Sequence, residues 1–96
     1  MPVDIILELQ TTIENRDKLL AVLAGILPDT RSYKGCQSIV VTSNQDDPLN
    51  IILLEKWDQR SDHDAYSAWR RARGDMDQLG ALLTTPPIVR FLNPIT

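Results

Sequence analysis

The chain has 96 residues, 43% hydrophobic and 24% charged, which suits one soluble-type domain with a single modest core. Its net charge is −3, and its one basic cluster (Arg70, Arg71, Arg73) is flanked by Asp75 and Asp77, so nucleic acid is not an expected partner. No apolar run reaches the roughly 18 residues of a membrane span, and a single cysteine and a single histidine exclude a dense soft-metal site within one subunit.

The opening MPVDIILELQ lacks a basic leader region and carries acids inside its apolar run, so it is expected to be a strand and not a signal peptide. Together with the unpairable Cys36, this points to a cytoplasmic protein. Residues 3–10 alternate, with Val3, Ile5, Leu7 and Leu9 on one face and Asp4, Ile6, Glu8 and Gln10 on the other. From Asn15 the period lengthens. Leu19, Leu20, Leu23, Ile26 and Leu27 form the buried stripe of a helix, with Asn15 as N-cap and Asp17 suited to the helix dipole. Pro28 is expected to bend or end this helix, unless DTRSY carries it one turn further.

YKGCQ is a turn in which Gly35 is free to take a positive φ. CQSIVVTS follows as the second strand, NQDDPLN as a turn and IILLEKW as the third strand, an antiparallel hairpin. The third strand is apolar on both faces up to Glu55, so both faces are expected to be covered. Glu55 itself must be paired or solvated, and Arg31 or Arg90 could be its partner. Ser61 is expected to start the second helix, over residues 62–73, with Asp64 completing a pair like a capping box. Asp75 caps a short third helix with Leu79, Leu82 and Leu83 as its apolar face, and IVRFL is the fourth strand.

The order β-α-β-β-α-(α)-β is that of an α+β, ferredoxin-like split βαβ domain over residues 1–96, a four-stranded antiparallel sheet with helices on one face. Its other face, with Ile6, Val40, Ile52 and Leu54, would be bare in a monomer and predicts a homodimer.

The second helix carries the candidate site. Ala65, Tyr66, Trp69 and Ala72 share one stripe, and His63, Tyr66 and Arg70 form an adjoining row. Tyr and Trp stand where most helices bury Leu, with the small Ala65, Ala68 and Ala72 around them. That combination points to a ring-lined cavity with a few polar groups. The simpler alternatives are plain core packing of the rings, a solvated or capping His63, and an arginine cluster that serves the helix dipole. Trp57 is read as a structural residue of the strand-to-helix corner, and Cys36 as a small core residue. Ser61, Asp62 and His63 cannot form a triad, because neighbours on a helix do not face one another.

Thr30-Arg31, the turn Gly35-Cys36, and Glu55-x-Trp57 leading into the aromatic helix resemble the antibiotic biosynthesis monooxygenase family, which includes quinol monooxygenases. The resemblance covers nearly the whole chain in element order. It implies a dimeric α+β barrel and oxidation of a small aromatic quinol or phenol by O₂, with no metal and no cofactor. Tyr66 and Trp69 would then orient the ring, while His63 or Arg70 holds the phenolate. The chain departs from the family at one position. Many members carry a histidine nine residues after the motif tryptophan; here that residue is Tyr66, and the one histidine, His63, lies a turn earlier. Tyrosine donates hydrogen bonds well but is a poor base near neutral pH. This departure motivates a second reading, a non-catalytic dimeric ligand-binding domain of the same fold, and fold alone also allows an isomerase or decarboxylase. The first strand has no asparagine, which sets haem degradation aside.

Overall fold

In the computed structural model, which describes residues 2–96, the elements run β1 (Val3–Gln10), α1 (Arg16–Arg31), β2 (Cys36–Asn44), β3 (Asp47–Trp57), α2 (Arg60–Ala72), α3 (Asp75–Gly80) and β4 (Ile88–Leu92). The strands form one antiparallel sheet in the order β2-β3-β1-β4. This is the ferredoxin-like α+β arrangement expected from the element order. Alternation along β1 and β3 puts Ile5, Leu9, Ile51 and Leu53 on the helix side, where all four are buried. Leu19, Leu23 and Leu27 of α1, spaced by four, pack against Leu9, Ile51 and Leu53, while Ile5 packs with Val3 and Trp57. Each such side chain contributes about 1.5–3 kcal/mol of burial.

Of the two courses open at Pro28 the longer holds: the helix runs to Arg31, and Ser32 closes it through its N–H and hydroxyl, both bonded to the Pro28 carbonyl. Three other local expectations are corrected. The β2–β3 turn shrinks to Gln45 and Asp46, because the following residues already pair. Pro48 is tolerated in β3 since pairing with β1 begins only at Asn50, so its missing N–H is not required. α2 begins at Arg60 with Gln59 in the N-cap position and no side-chain cap. Ser61 is therefore already inside the first turn, and the Ser61–Asp64 capping pair does not form. The cap of α3 is Gly74, at φ +81°, and not Asp75.

Gly35 is constrained twice. Its φ is +89°, and a Cβ there would run into the side chain of Asp62. The turn thus brings the start of β2 under the first turn of α2.

The opposite face of the sheet carries Val40, Leu54, Ile88 and Leu92, all exposed. Within one chain β3 is therefore covered on one side only, not on both. Among the described residues no helix is long and apolar enough to cross a membrane.

Candidate functional site

The row of α2 that faces inward is His63, Tyr66 and Arg70, not the Ala65–Tyr66–Trp69–Ala72 stripe. His63 and Arg70 are 8% and 2% exposed, whereas Ala65, Ala68 and Ala72 lie on the surface. The polar row can turn in because its partners are already there. β3 presents Glu55 and Trp57 on its helix side, and the last two turns of α1 present Thr30 and the Ile26 carbonyl.

Between sheet and helices lies a cavity of about 80 Å³. Ile5, Leu53, Leu23 and Ile26 make apolar walls, and Glu55, His63, Tyr66 and Arg70 supply polar groups. Three of the four residues singled out on α2 thus meet at one cavity. Trp69 does not line it. Its ring packs on Tyr33 with centroids 5.4 Å apart, and the Arg70 and Arg73 guanidinium groups sit 4.6 and 5.0 Å from its centroid.

Arg70 is committed to the scaffold. Its Nε donates to the Tyr66 hydroxyl at 3.0 Å, one terminal nitrogen to Asp75 at 3.0 Å, and the other to the Ile26 carbonyl at 2.7 Å and the Thr30 hydroxyl at 3.0 Å. Tyr66 Oη accepts from Arg70 and lies 2.7 Å from Thr30 Oγ1, which donates onward to the Ile26 carbonyl. A consistent pattern has Tyr66 donating to Thr30, so its hydroxyl proton is used within the protein. Arg70, with help from Arg73, holds the Asp75 carboxyl below its ordinary range.

Glu55 is paired differently from expectation. Its Oε1 accepts from the Trp57 indole at 2.9 Å, and His63 Nε2 stands 4.0 Å from the same oxygen. Arg31 instead donates to the Ile39 carbonyl, and Arg90 pairs with Glu8 on the bare face. Residues two apart on a strand share a face, which lets Glu55 and Trp57 bond directly. Burial pushes the Glu55 carboxyl up, against the pull of the indole donor, and burial pushes the His63 imidazole down.

Three residues at the site were not legible beforehand, and one was read too modestly. Trp57, more than a corner residue, is fully buried at the centre of a ring cluster. It lies 5.2 Å from both His63 and Tyr66 and 6.4 Å from Tyr33. Phe91 meets His63 edge-on at 5.4 Å. Phe91 reaches the site because β4 pairs with β1 in a register that sets it opposite Ile5, and only the topology supplies that. Tyr33 and Thr30 gave one local sign, their place in the TRSYKG segment before the Gly35 turn.

The family model described as antibiotic biosynthesis monooxygenase matches residues 2–73, the span that holds Thr30, Tyr33, Glu55, Trp57 and the whole inward row of α2. The chain belongs to the antibiotic biosynthesis monooxygenase family. Among solved structures, this family member superposes on Rv0793 from Mycobacterium tuberculosis with a TM-score of 0.89 and 27% identity, covering 100% of this chain and 97% of that one. A conserved protein from Methanosarcina mazei Go1 shares the fold at TM-score 0.89 and 14% identity, over 97% of this chain and 92% of that one. A structure named antibiotic biosynthesis monooxygenase does so at TM-score 0.87 and 18% identity, over 98% and 99%. No curated protein matches this member of the family.

Proposed function

We propose that this family member oxidises a small aromatic quinol or phenol with O₂, the substrate itself supplying the electrons. The observation that supports this reading is the cavity, apolar on most sides, with His63 and Glu55 buried together at its polar end. For a quinol the change is quinol plus O₂ to hydroxyquinone plus water. One oxygen atom enters the ring, the other leaves as water, and all four electrons come from the substrate. Loss of a phenolic proton makes the ring electron-rich, and apolar walls exclude water from the anion. A buried imidazole that stays neutral near pH 7 suits contact with that oxygen.

In this reading Tyr66 presents its ring to the substrate, while Arg70 acts by fixing Tyr66. Trp69 backs Tyr33 and Tyr66 from outside. A cavity of about 80 Å³ is smaller than the roughly 150 Å³ that encloses a benzene ring, so entry requires widening. We place that widening at the six-residue α3, which contributes Met76 and Leu79 to the wall.

The test is oxygen uptake on a panel of reduced quinones and anthrones. His63→Ala is expected to lower kcat/KM by roughly 10²-fold or more, the usual effect of losing a donor to a developing oxyanion. Tyr66→Phe should lose part of the rate through a misplaced ring, and Trp69→Phe should stay close to wild type. Unchanged rates in all three variants would remove these residues from the mechanism. An aromatic ligand held in air without turnover would favour the non-catalytic binding reading.

The same reading makes the protein a homodimer through the uncovered sheet face, where Val40, Leu54, Ile88 and Leu92 form an exposed apolar set. Light scattering at micromolar concentration should give twice the chain mass, and Leu54→Arg should reduce it to one chain. A wild-type monomer at that concentration would sink the barrel.

A further inference from the structure

We propose that Glu55 and His63 form a two-point seat for one phenolic oxygen of the substrate. Glu55 is the base that takes its proton, and His63 is the donor that holds the oxyanion left behind. The proposal rests on the oxygenase reading above and assigns the proton step within it.

The geometry carries the argument. Oε1 of Glu55 and Nε2 of His63 are 4.0 Å apart, too far for a direct hydrogen bond. A single oxygen about 2.8 Å from each fits between them. Both residues line the cavity. His63 Nε2 has no hydrogen bond, yet no buried side-chain nitrogen or oxygen among the described residues lacks a partner. Nε2 therefore keeps accessible surface on a residue that lines the cavity. On the far side of the ring Nδ1 lies 3.4 Å from Ser67 Oγ. With the Ser67 hydroxyl as donor, the imidazole carries its proton on Nε2 and aims it at the seat. Trp57 and Phe91 meet the imidazole edge-on and fix its plane.

The division of roles follows from the surroundings. Burial strengthens a carboxylate as a base and keeps an imidazole neutral, so the first is suited to take a proton and the second to donate a hydrogen bond. A glutamate base beside a neutral histidine donor is a known way to deprotonate a carbon acid near neutral pH. Among the described residues no Lys or Arg bonds Glu55. Around it, β2 contributes the Cys36 thiol, α1 contributes Arg31 held on the Ile39 carbonyl, and α2 contributes His63, itself acted on by Asp64 and Arg60. In register with Glu55, β1 sets Ile5 and β4 sets Phe91, with Arg60 stacked on the Phe91 ring. In the step itself the phenolic O–H bond breaks and its electron pair stays on oxygen. The proton joins the Glu55 carboxylate, and His63 keeps its own.

The experiment titrates 4-nitrophenol bound to the full chain by its phenolate absorption, with oxygen uptake on a reduced quinone in parallel. Wild type should ionise the bound phenol at a proton concentration about tenfold or more above that needed in buffer. Glu55→Gln keeps an acceptor for the Trp57 indole but has no basic oxygen. It should bind the phenol, leave it protonated to at least its free-solution pH, and lose roughly 10²-fold in turnover. Trp57→Phe removes the donor on Glu55 and should move the acid limb of the pH–rate profile upward, a change that a structural role alone would not produce. It also keeps the proposal testable if Glu55→Gln fails to fold.

Identical titrations in wild type and Glu55→Gln would overturn the seat, as would a wild type that binds no nitrophenol. Turnover unchanged in Glu55→Gln would remove Glu55 as the base and leave the oxygenase reading standing. Glu55-dependent ionisation with no oxygen uptake on any quinol would keep the seat and remove the oxygenase.

Discussion

Trp57→Ala is expected to lower the free energy of unfolding by about 3–5 kcal/mol, as large-to-small changes in a filled core do. Trp57 has no exposed surface, and three other rings, those of Tyr33, His63 and Tyr66, lie within 6.4 Å of its own. Part of the effect is electrostatic. Among the described residues the indole N–H is the one donor bonded to Glu55, and its loss leaves a buried carboxyl unsupported. Trp57→Phe separates the contributions. It keeps most of the packing and should cost about 1–3 kcal/mol for the missing bond. Urea denaturation followed by the fluorescence of Trp69, the remaining tryptophan, measures both variants. Total stabilities are typically about 5–15 kcal/mol, so the alanine variant should be only marginally folded. A loss below about 1 kcal/mol would mean that the ring cluster is not part of the stabilising core.

Arg70→Met is expected to cost about 3 kcal/mol, because it strands the buried partners of a paired cation. One guanidinium ties the Tyr66 hydroxyl on α2, the Ile26 carbonyl and Thr30 hydroxyl on α1, and Asp75 at the start of α3. Arg70→Lys should recover little, since an ammonium cannot meet four acceptors set in the plane of a fork. The pH dependence gives an independent check. Asp75 titrates below its ordinary value of 3.8 in the folded protein, chiefly through its bond to Arg70. Its contribution is thus present above that value and fades as pH falls through the folded-state pKa. Urea midpoints measured from neutral pH into acid should show a smaller acid loss in Arg70→Met than in wild type. An identical acid limb in both proteins would show that the Arg70–Asp75 pair adds no stability.

Both predictions fall on side chains whose role was only partly legible beforehand. Glu55-x-Trp57 marked the family, yet the carboxyl was assigned a cationic partner. A charged residue on a strand ordinarily needs one; here its own strand supplies a neutral N–H two residues on, which offsets part of the upward push of burial on the carboxyl. His63 and Arg70 were placed on the correct helical row. Helix patterning alone favours the adjoining stripe of larger apolar surface, because it weighs hydrophobic area and cannot see partners on another element. Thr30 and Tyr66 are 36 residues apart in sequence and 2.7 Å apart in space. No local rule connects them.

What the amino-acid order determined by itself is the succession of elements and the inner face of the sheet. Burial is periodic, and its period differs between strand and helix, so it can be read one element at a time. The bare sheet face with Val40 and Leu54 was legible in the same way, whereas the family came from the resemblance carried by Thr30-Arg31, Gly35-Cys36 and Glu55-x-Trp57. The rotation of α2, the exclusion of Trp69 from the cavity and the meeting of His63 with Glu55 were decided only by the tertiary structure. A helix turns about 100° per residue, so small rotations exchange one row for its neighbour. The choice between rows lies with the acceptors and rings that β3, α1 and β4 bring from far along the chain.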